Sequence, residues 1–423
     1  MPRFDAVIVG AGPAGSIAAL CLARAGARVA LVDRRRFPRD KACGDLVGPR
    51  GVRLLAELGV GVPDARRVGD LIVIGPSGRR ILLPALPGLD YPDHALAVSR
   101  VAFDNALFEA AVAAGACPVR DRFVGLTGDP HTPTGVELAS SGELRAGVVV
   151  GADGATSRVA VAADLVDSQL PLWGFALRAY VDAPVELPHI VLWEPQPWRL
   201  FPGYGWIFPT ADGRANVGLG LGVGADRLLA RQAGERFEAF CGYLERQGLL
   251  PTAPRSVERL GGWLKMGMIG TMPARGTVLL AGDAAGLINP LQGEGIAQAM
   301  ASGRAAALAI LAAGPADAAA HYRRSLRTLS VHHRINAPVQ RSIIKHPSTV
   351  SVAGRLLTAP LVRTAIAGTW SLYWNDLVRG AQPSPHRRIG ATTTRLVSAI
   401  ASRSDTDAWF AQATSSAAQT TRL

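Results

Sequence analysis

"FDAVIVGAGPAGSIAALCLARAGARVALVD", residues 4–33, decides the fold. "FDAVIVG" is a short apolar run of strand character that enters a glycine loop. "AGPAGSIAALCLARAGA" follows with helical patterning and stops at Gly26, and "RVALVD" is a second strand. Strand, helix and strand within about thirty residues make a β-α-β unit, and Gly10, Gly12 and Gly15 fall at GxGxxG spacing. Gly10 suits the tight turn off the strand, Gly12 a close approach of the backbone to a pyrophosphate, and Gly15 the packing of helix on strand. The free N–H groups at the helix start favour phosphate. Asp33 ends the second strand where a ribose-binding carboxylate is expected.

Outward from this unit, "SRVAFDNALFEAAVAAGA" reads as a helix capped by Ser99 and stopped by Gly115. "AGVVVGADG" reads as a buried strand ending in a tight turn, and "TVLLAGDAAG" as a buried strand followed by the helix "EGIAQAMASGRAAALAIL". Small strands are expected between Leu71 and Leu96. From Leu170 to Gly270 the pattern is one of short alternating strands carrying Trp173, Trp193, Trp198, Tyr204, Trp206, Phe208 and Trp263.

The 423 residues suggest two or three structural units. Cys21, Cys43, Cys117 and Cys241 lie far apart, without metal-ligand or disulfide-framework spacing, so a reducing cytoplasm and no metal are expected. Asp5 interrupts any signal-peptide core, and no uncharged apolar run reaches the length of a spanning helix. Of the net charge of +12, residues 316–423 carry +10, from thirteen arginines and one lysine against four aspartates. This segment is apolar between its arginines, which suits an anionic lipid surface better than nucleic acid. "GRLLTAPLVRTAIAGTWSLYWNDLVRG", Gly354–Gly380, carries the aromatics Trp370, Tyr373 and Trp374. It is expected either to lie on a membrane surface without spanning it or to close the substrate pocket.

Three stretches resemble the fingerprints of the glutathione-reductase-type flavoproteins, in their hydroxylase-like branch. They are the glycine loop, "GADGATSRV" (Gly151–Val159) and "LLAGDAAGLINPLQGEGI" (Leu279–Ile296). Two more, "FPRDKACGD" with Pro38, Lys41, Cys43 and Gly44, and "YGWIFP" with a later "GLG", resemble the two signatures of the geranylgeranyl reductase family. The second signature matches at Tyr204, Trp206, Phe208, Pro209, Gly218 and Gly220, and the whole resemblance covers roughly residues 1–310. It departs after Gly44: where the family usually has a further glycine two positions on, this chain has Leu46. Halogenases of this group usually carry WxWxIP, which "GWIFP" is not.

The resemblance implies an α/β fold: a Rossmann-like FAD-binding domain with an inserted β-rich substrate domain and a helical C-terminal region. The expected division is 1–70, 96–165 and 270–315 for FAD, and 71–95 with 166–269 for substrate. Residues 316–380 would form the basic helical region and 381–423 a Ser/Thr/Ala-rich, partly disordered tail. It implies FAD contacts from Gly10, Gly12, Pro13, Ala14, Gly15, Asp33, Arg34, Lys41, Cys43, Gly44 and Asp45. Arg100 would lie near the pyrophosphate, Val124 near the adenine, Asp283 on the ribityl chain, and Gly295 and Ile296 at the flavin's O2 end. Asp153, Gly282 and Gly293 complete the set. Tyr204, Trp206, Phe208 and Pro209 would line a substrate cavity. Cys43 is either a proton donor or positioning group beside the flavin, or a small residue filling its pocket; Lys41 beside it would favour a thiolate. No second GxGxxG occurs, so NAD(P)H or a reduced carrier would donate electrons transiently. The expected reaction is reduction of isoprenoid C=C bonds. A monooxygenase or epoxidase acting on a terpenoid, and a membrane-surface electron carrier, are the alternatives.

Overall fold

A computed structural model describes residues 3–83, 85, 92–167, 172–224, 227–251, 258–327, 333, 336–338, 340–342 and 345–359. Phe4–Val9 is the central strand of the first sheet. It pairs in parallel with Val29–Asp33 on one side and Gly142–Gly151 on the other. Cys117–Arg120 extends the sheet beyond Val29–Asp33, and Val278–Leu280 extends it beyond Gly142–Gly151. Ala6, Val7 and Ile8 are fully buried, as a strand covered on both faces requires. The helix Pro13–Arg24 packs so closely on this sheet that a Cβ on Gly15 would lie 1.7 Å from the carbonyl oxygen of Gly10.

The second sheet has seven strands. Leu172–Val181 pairs with Arg259–Met266 on one side and Ala215–Gly224 on the other. Gly203–Pro209, His189–Val191, Leu71–Ile74 and Arg80–Leu83 follow in that order. One face is covered by the helix Ala233–Arg246, whose Phe237 and Phe240 are buried against Trp193 and Phe201. This helix lies inside a stretch whose sequence reads as strands throughout; five apolar residues spaced three and four apart, Phe237, Phe240, Cys241, Leu244 and Ala233, form its buried stripe. The opposite face, with Trp206 and Phe208, turns toward the loop that follows the first β-α-β unit.

Ser99 caps the helix Arg100–Ala113 by accepting from the Ala102 N–H at 3.3 Å. The long helix Ile296–Ser325 breaks at Gly314 (φ 66°), immediately before Pro315, and packs on Pro13–Arg24. It is long and apolar enough to cross a membrane, but 61% of its most apolar window is buried within the protein. The aromatic C-terminal stretch with Trp370, Tyr373 and Trp374 lies outside the described residues.

The Ser99 cap fixes the start of the helix that carries Arg100. Ser99→Ala is expected to cost about 1 kcal/mol in denaturant unfolding of the full chain. An unchanged midpoint would show that the cap contributes nothing.

Candidate functional site

The C-terminal ends of the parallel strands open onto a cleft of about 320 Å3. Its floor is the glycine loop, with Gly10, Gly12, Pro13 and Ala14 in the wall. Gly12 is the N-cap of its helix, with no side chain capping the free N–H groups. The space above it is open: a Cβ there would approach nothing nearer than the Arg39 guanidinium, 3.5 Å away. An uncapped helix start beneath open space, with a cation across from it, is the arrangement that receives a phosphate. The cleft walls hold seven Arg and Lys side chains against five Asp, an excess of positive charge that complements a dinucleotide pyrophosphate.

Asp33 accepts from the Ala11 N–H at 2.9 Å, which ties the glycine loop to the end of the second strand. Arg34 and Arg35 lie beside it in the cleft wall. Asp153 also lines the cleft, but its carboxylate caps the helix Arg158–Ala162 through Ser157 Oγ (2.5 Å) and the N–H of Arg158 (2.7 Å). Gly282 and Asp283 form the far wall. The Gly282 N–H donates to Ser302 Oγ at 2.9 Å, and buried Lys265 donates from Nζ to the Ala284 carbonyl at 2.5 Å. Burial pushes the Lys265 ammonium down to about 8, while Asp153 and Asp283 hold it up. Arg122 and Phe123 face the cleft, whereas Val124 is 46% exposed on the outer side of its strand.

Lys41 turns into the cleft and pairs with Asp283 at 3.1 Å. Its charge is therefore spent across the cleft rather than on Cys43, and the expectation of a Lys41-stabilised thiolate is corrected. Burial raises the Cys43 thiol pKa, Arg100 opposes this, and Asp45 adds to it; the balance is upward, so the thiol keeps its proton at neutral pH. Arg100, 3% exposed, forks onto Asp104 with two bonds of 2.8 Å. Arg39 meets the same aspartate at 3.2 Å.

Next along the chain, Gly44 passes directly beneath the second sheet. A Cβ on it would lie 2.8 Å from Phe208 Cε2 and 3.4 Å from Trp206 Nε1. Tyr204, Trp206 and Phe208 alternate along Gly203–Pro209 and so share a face. Their neighbouring rings stand 6.2 Å apart. The neighbouring strand is set opposite in register, Tyr204 to Gly220, Trp206 to Gly218 and Phe208 to Asn216. A side chain on Gly218 would collide with the Trp206 ring at 2.2 Å, which explains why aromatic and glycine signatures occur together. Pro209 ends the strand opposite Ala215. Tyr204 donates from its hydroxyl to the Gln292 carbonyl at 2.5 Å, beside Gly293. Gly295 is the N-cap of the long helix that begins at Ile296.

Sequence reading missed four members of this site: Arg178, Tyr180, Asn216 and Lys265. Asn216 donates to the Cys43 carbonyl at 2.9 Å and to Asp45 Oδ2 at 2.8 Å, and accepts from Trp206 Nε1 at 2.9 Å. Asp45 stands in the left-handed region (φ 61°), and Tyr180 donates to it at 2.5 Å. Only strand register brings these residues to the loop, more than 130 positions away along the chain.

Residues 3–172 match a protein family described as an FAD binding domain. The chain is 31% identical over 382 residues to the menaquinone reductase of Mycolicibacterium smegmatis, covering 84% of this chain and 92% of that protein. It is 32% identical over 326 residues to digeranylgeranylglycerophospholipid reductase 2 of Methanopyrus kandleri, covering 72% and 76%. A geranylgeranyl bacteriochlorophyll reductase-like protein from Thermoplasma acidophilum superposes with a TM-score of 0.69 at 22% identity, over 93% of this chain and 97% of that one. A flavin-dependent brominase gives 0.67 at 19% identity, over 93% and 100%. At these identities the two structures share the fold alone.

Asp283→Ala removes a carboxylate from the cleft wall and frees Lys41. The variant is expected to bind FAD about tenfold or more weakly, read by fluorescence titration of the apoprotein. Unchanged FAD affinity would remove Asp283 from the cofactor site.

Proposed function

Because the chain belongs to the geranylgeranyl reductase family of FAD-dependent oxidoreductases, we propose that it reduces carbon–carbon double bonds of a prenyl-chain substrate. The observation that carries this reading is the course of residues 41–45. The loop begins in the cofactor cleft at Lys41 and passes Cys43. It then runs beneath the Trp206–Phe208 ladder at Gly44. A long apolar substrate against those rings would thus be held beside the cofactor. Reductase-named relatives at 31–32% identity, acting by their names on menaquinone and on a digeranylgeranyl lipid, support a prenyl-bearing substrate.

Reduced FAD, when bound, supplies a hydride; NAD(P)H or a reduced carrier supplies its electrons. The protein's own residues have three tasks. The glycine loop, Asp33 and Asp283 hold the dinucleotide. Tyr204, Trp206 and Phe208 give apolar contact area and keep water from the reacting chain. Cys43, protonated and half-buried at the junction, holds the proton that the second carbon of the reduced double bond must receive.

The test separates the two half-reactions without oxygen. FAD-loaded protein, reduced chemically, is mixed with geranylgeranyl diphosphate or a menaquinone, and products are weighed by mass spectrometry. Wild type is expected to add two hydrogens per double bond in the absence of oxygen. Cys43→Ser should keep FAD and its reduction rate but slow product formation about 10²-fold. Product that forms only in air and carries an oxygen atom would replace the reading by a monooxygenase or epoxidase. Undiminished turnover in Cys43→Ser would make Cys43 a packing residue.

A further inference from the structure

Behind Cys43 lies a buried polar cluster that the reading above does not use. Asp45 is 1% exposed, and both hydrogen bonds of its carboxyl fall on one oxygen. Oδ2 accepts from the Tyr180 hydroxyl at 2.5 Å and from Asn216 Nδ2 at 2.8 Å. Among the described residues Oδ1 is buried with no partner. An unsatisfied buried carboxyl oxygen is destabilising, and the left-handed backbone at a non-glycine residue adds to that cost. Arg178, 4% exposed on the same strand as Tyr180, has no partner for its Nε among the described residues, while its other end pairs with Asp40. The same loop turns the Asp45 N–H onto Cys43 Sγ at 3.4 Å, and Asn216 ties the Cys43 carbonyl to the Asp45 carboxyl. The thiol of Cys43 thus rests on the Asp45 N–H, and the Asp45 carboxyl is joined to the Cys43 backbone through Asn216.

The geometry points to Asp45 as the proton store behind Cys43: when the thiol gives up its proton, the carboxylic acid replaces it. This rests on the proposed role of Cys43. The thiol S–H bond breaks as the C–H bond of the reduced substrate forms. The electron pair of the other new C–H bond comes with the hydride already assigned to the cofactor. The Asp45 O–H bond then breaks, S–H forms again, and the carboxylate left behind is stabilised by Tyr180 and Asn216 until water restores its proton. Asp45 is too enclosed to touch substrate and is a positioning residue that acts through Cys43.

The charges around it fit this use. Arg178 and Tyr180 come from one strand, Asn216 from the next, Arg100 from the helix it begins and Cys43 from the loop itself. Burial pushes Asp45 up to about 6, opposed by Tyr180, Asn216, Arg178 and Arg100. Burial and the Asp45 charge push the Tyr180 hydroxyl upward, so it remains a donor. A carboxyl balanced between its two forms near neutrality can both give and regain a proton.

The experiment uses the FAD-loaded full chain. Alkylation of Cys43 by iodoacetamide is followed peptide by peptide by mass spectrometry from pH 5 to 9, so that Cys21, Cys117 and Cys241 are read separately. In Asp45→Asn the negative charge beside the thiol is gone, and Cys43 at pH 8 should react about tenfold faster, equivalent to one pH unit in the thiol. Asp45→Glu, which keeps the charge, should restore the slow rate. Equal rates in wild type and Asp45→Asn would overturn the proposal. In turnover with geranylgeranyl diphosphate or a menaquinone, Asp45→Asn should lower kcat about 10²-fold at unchanged KM. It should also abolish the fall in kcat as pH rises through about 6, where the acid form is lost. A retained pH limb would also overturn it. Should Asp45→Asn fail to fold, Tyr180→Phe is read instead: loss of a donor to the carboxylate should move that limb to higher pH, and an unmoved limb counts against the store. If wild type reduces neither probe, the proposed function fails, while the alkylation rates still decide whether Asp45 governs Cys43.

Discussion

The contact between the Gly44 backbone and the rings of Phe208 and Trp206 is the constraint on which the rest depends. It presses a loop from the nucleotide-binding sheet against the face of the second sheet. A side chain at position 44 would push the two apart. Asn216 secures the contact from the other side by gripping the Cys43 carbonyl, the Asp45 carboxylate and the Trp206 indole at once. The bonds to the carboxylate and the indole are buried, so losing one partner would leave another unsatisfied. The loop is consequently fixed at both ends, by Lys41 on Asp283 and by Gly44 under the rings.

Electrostatics divide the molecule along that loop. On the cleft side, cations outnumber carboxylates and the helix start at Gly12 is uncapped, which favours the anionic part of FAD. On the ladder side Ala176, Trp206 and Phe208 form a small buried apolar cluster. Cys43 lies at the boundary. Its thiol is held in the protonated form by burial, and the lysine beside it in sequence is engaged elsewhere. A thiol in that state suits proton delivery better than nucleophilic attack.

The first β-α-β unit, the Ser99 cap and the buried strand before Gly282 are legible because their signals are local: period, glycine spacing and capping residues within a few positions. The aromatic and glycine signatures were legible as types, but their mutual fit was not, since it depends on the antiparallel register that sets Trp206 opposite Gly218. Arg178, Tyr180 and Asn216 carry no motif; they matter only because two strands bring them to residue 45. The same limit explains the error over Lys41. Proximity along the chain suggested a partner for Cys43, whereas the turn of the loop sends the ammonium to a residue 242 positions away. The helix Ala233–Arg246 was hidden by the aromatic-rich strands around it, although its own buried residues recur at helical spacing.

The most direct test of the central claim is whether one apolar ligand engages both sides of the loop. Hydrogen exchange of the FAD-loaded protein, followed at peptide resolution while geranylgeraniol is titrated in, reports this without turnover. The account predicts that residues 41–47 and 203–209 slow together, with one concentration dependence. Protection elsewhere, with both segments unchanged, would contradict it.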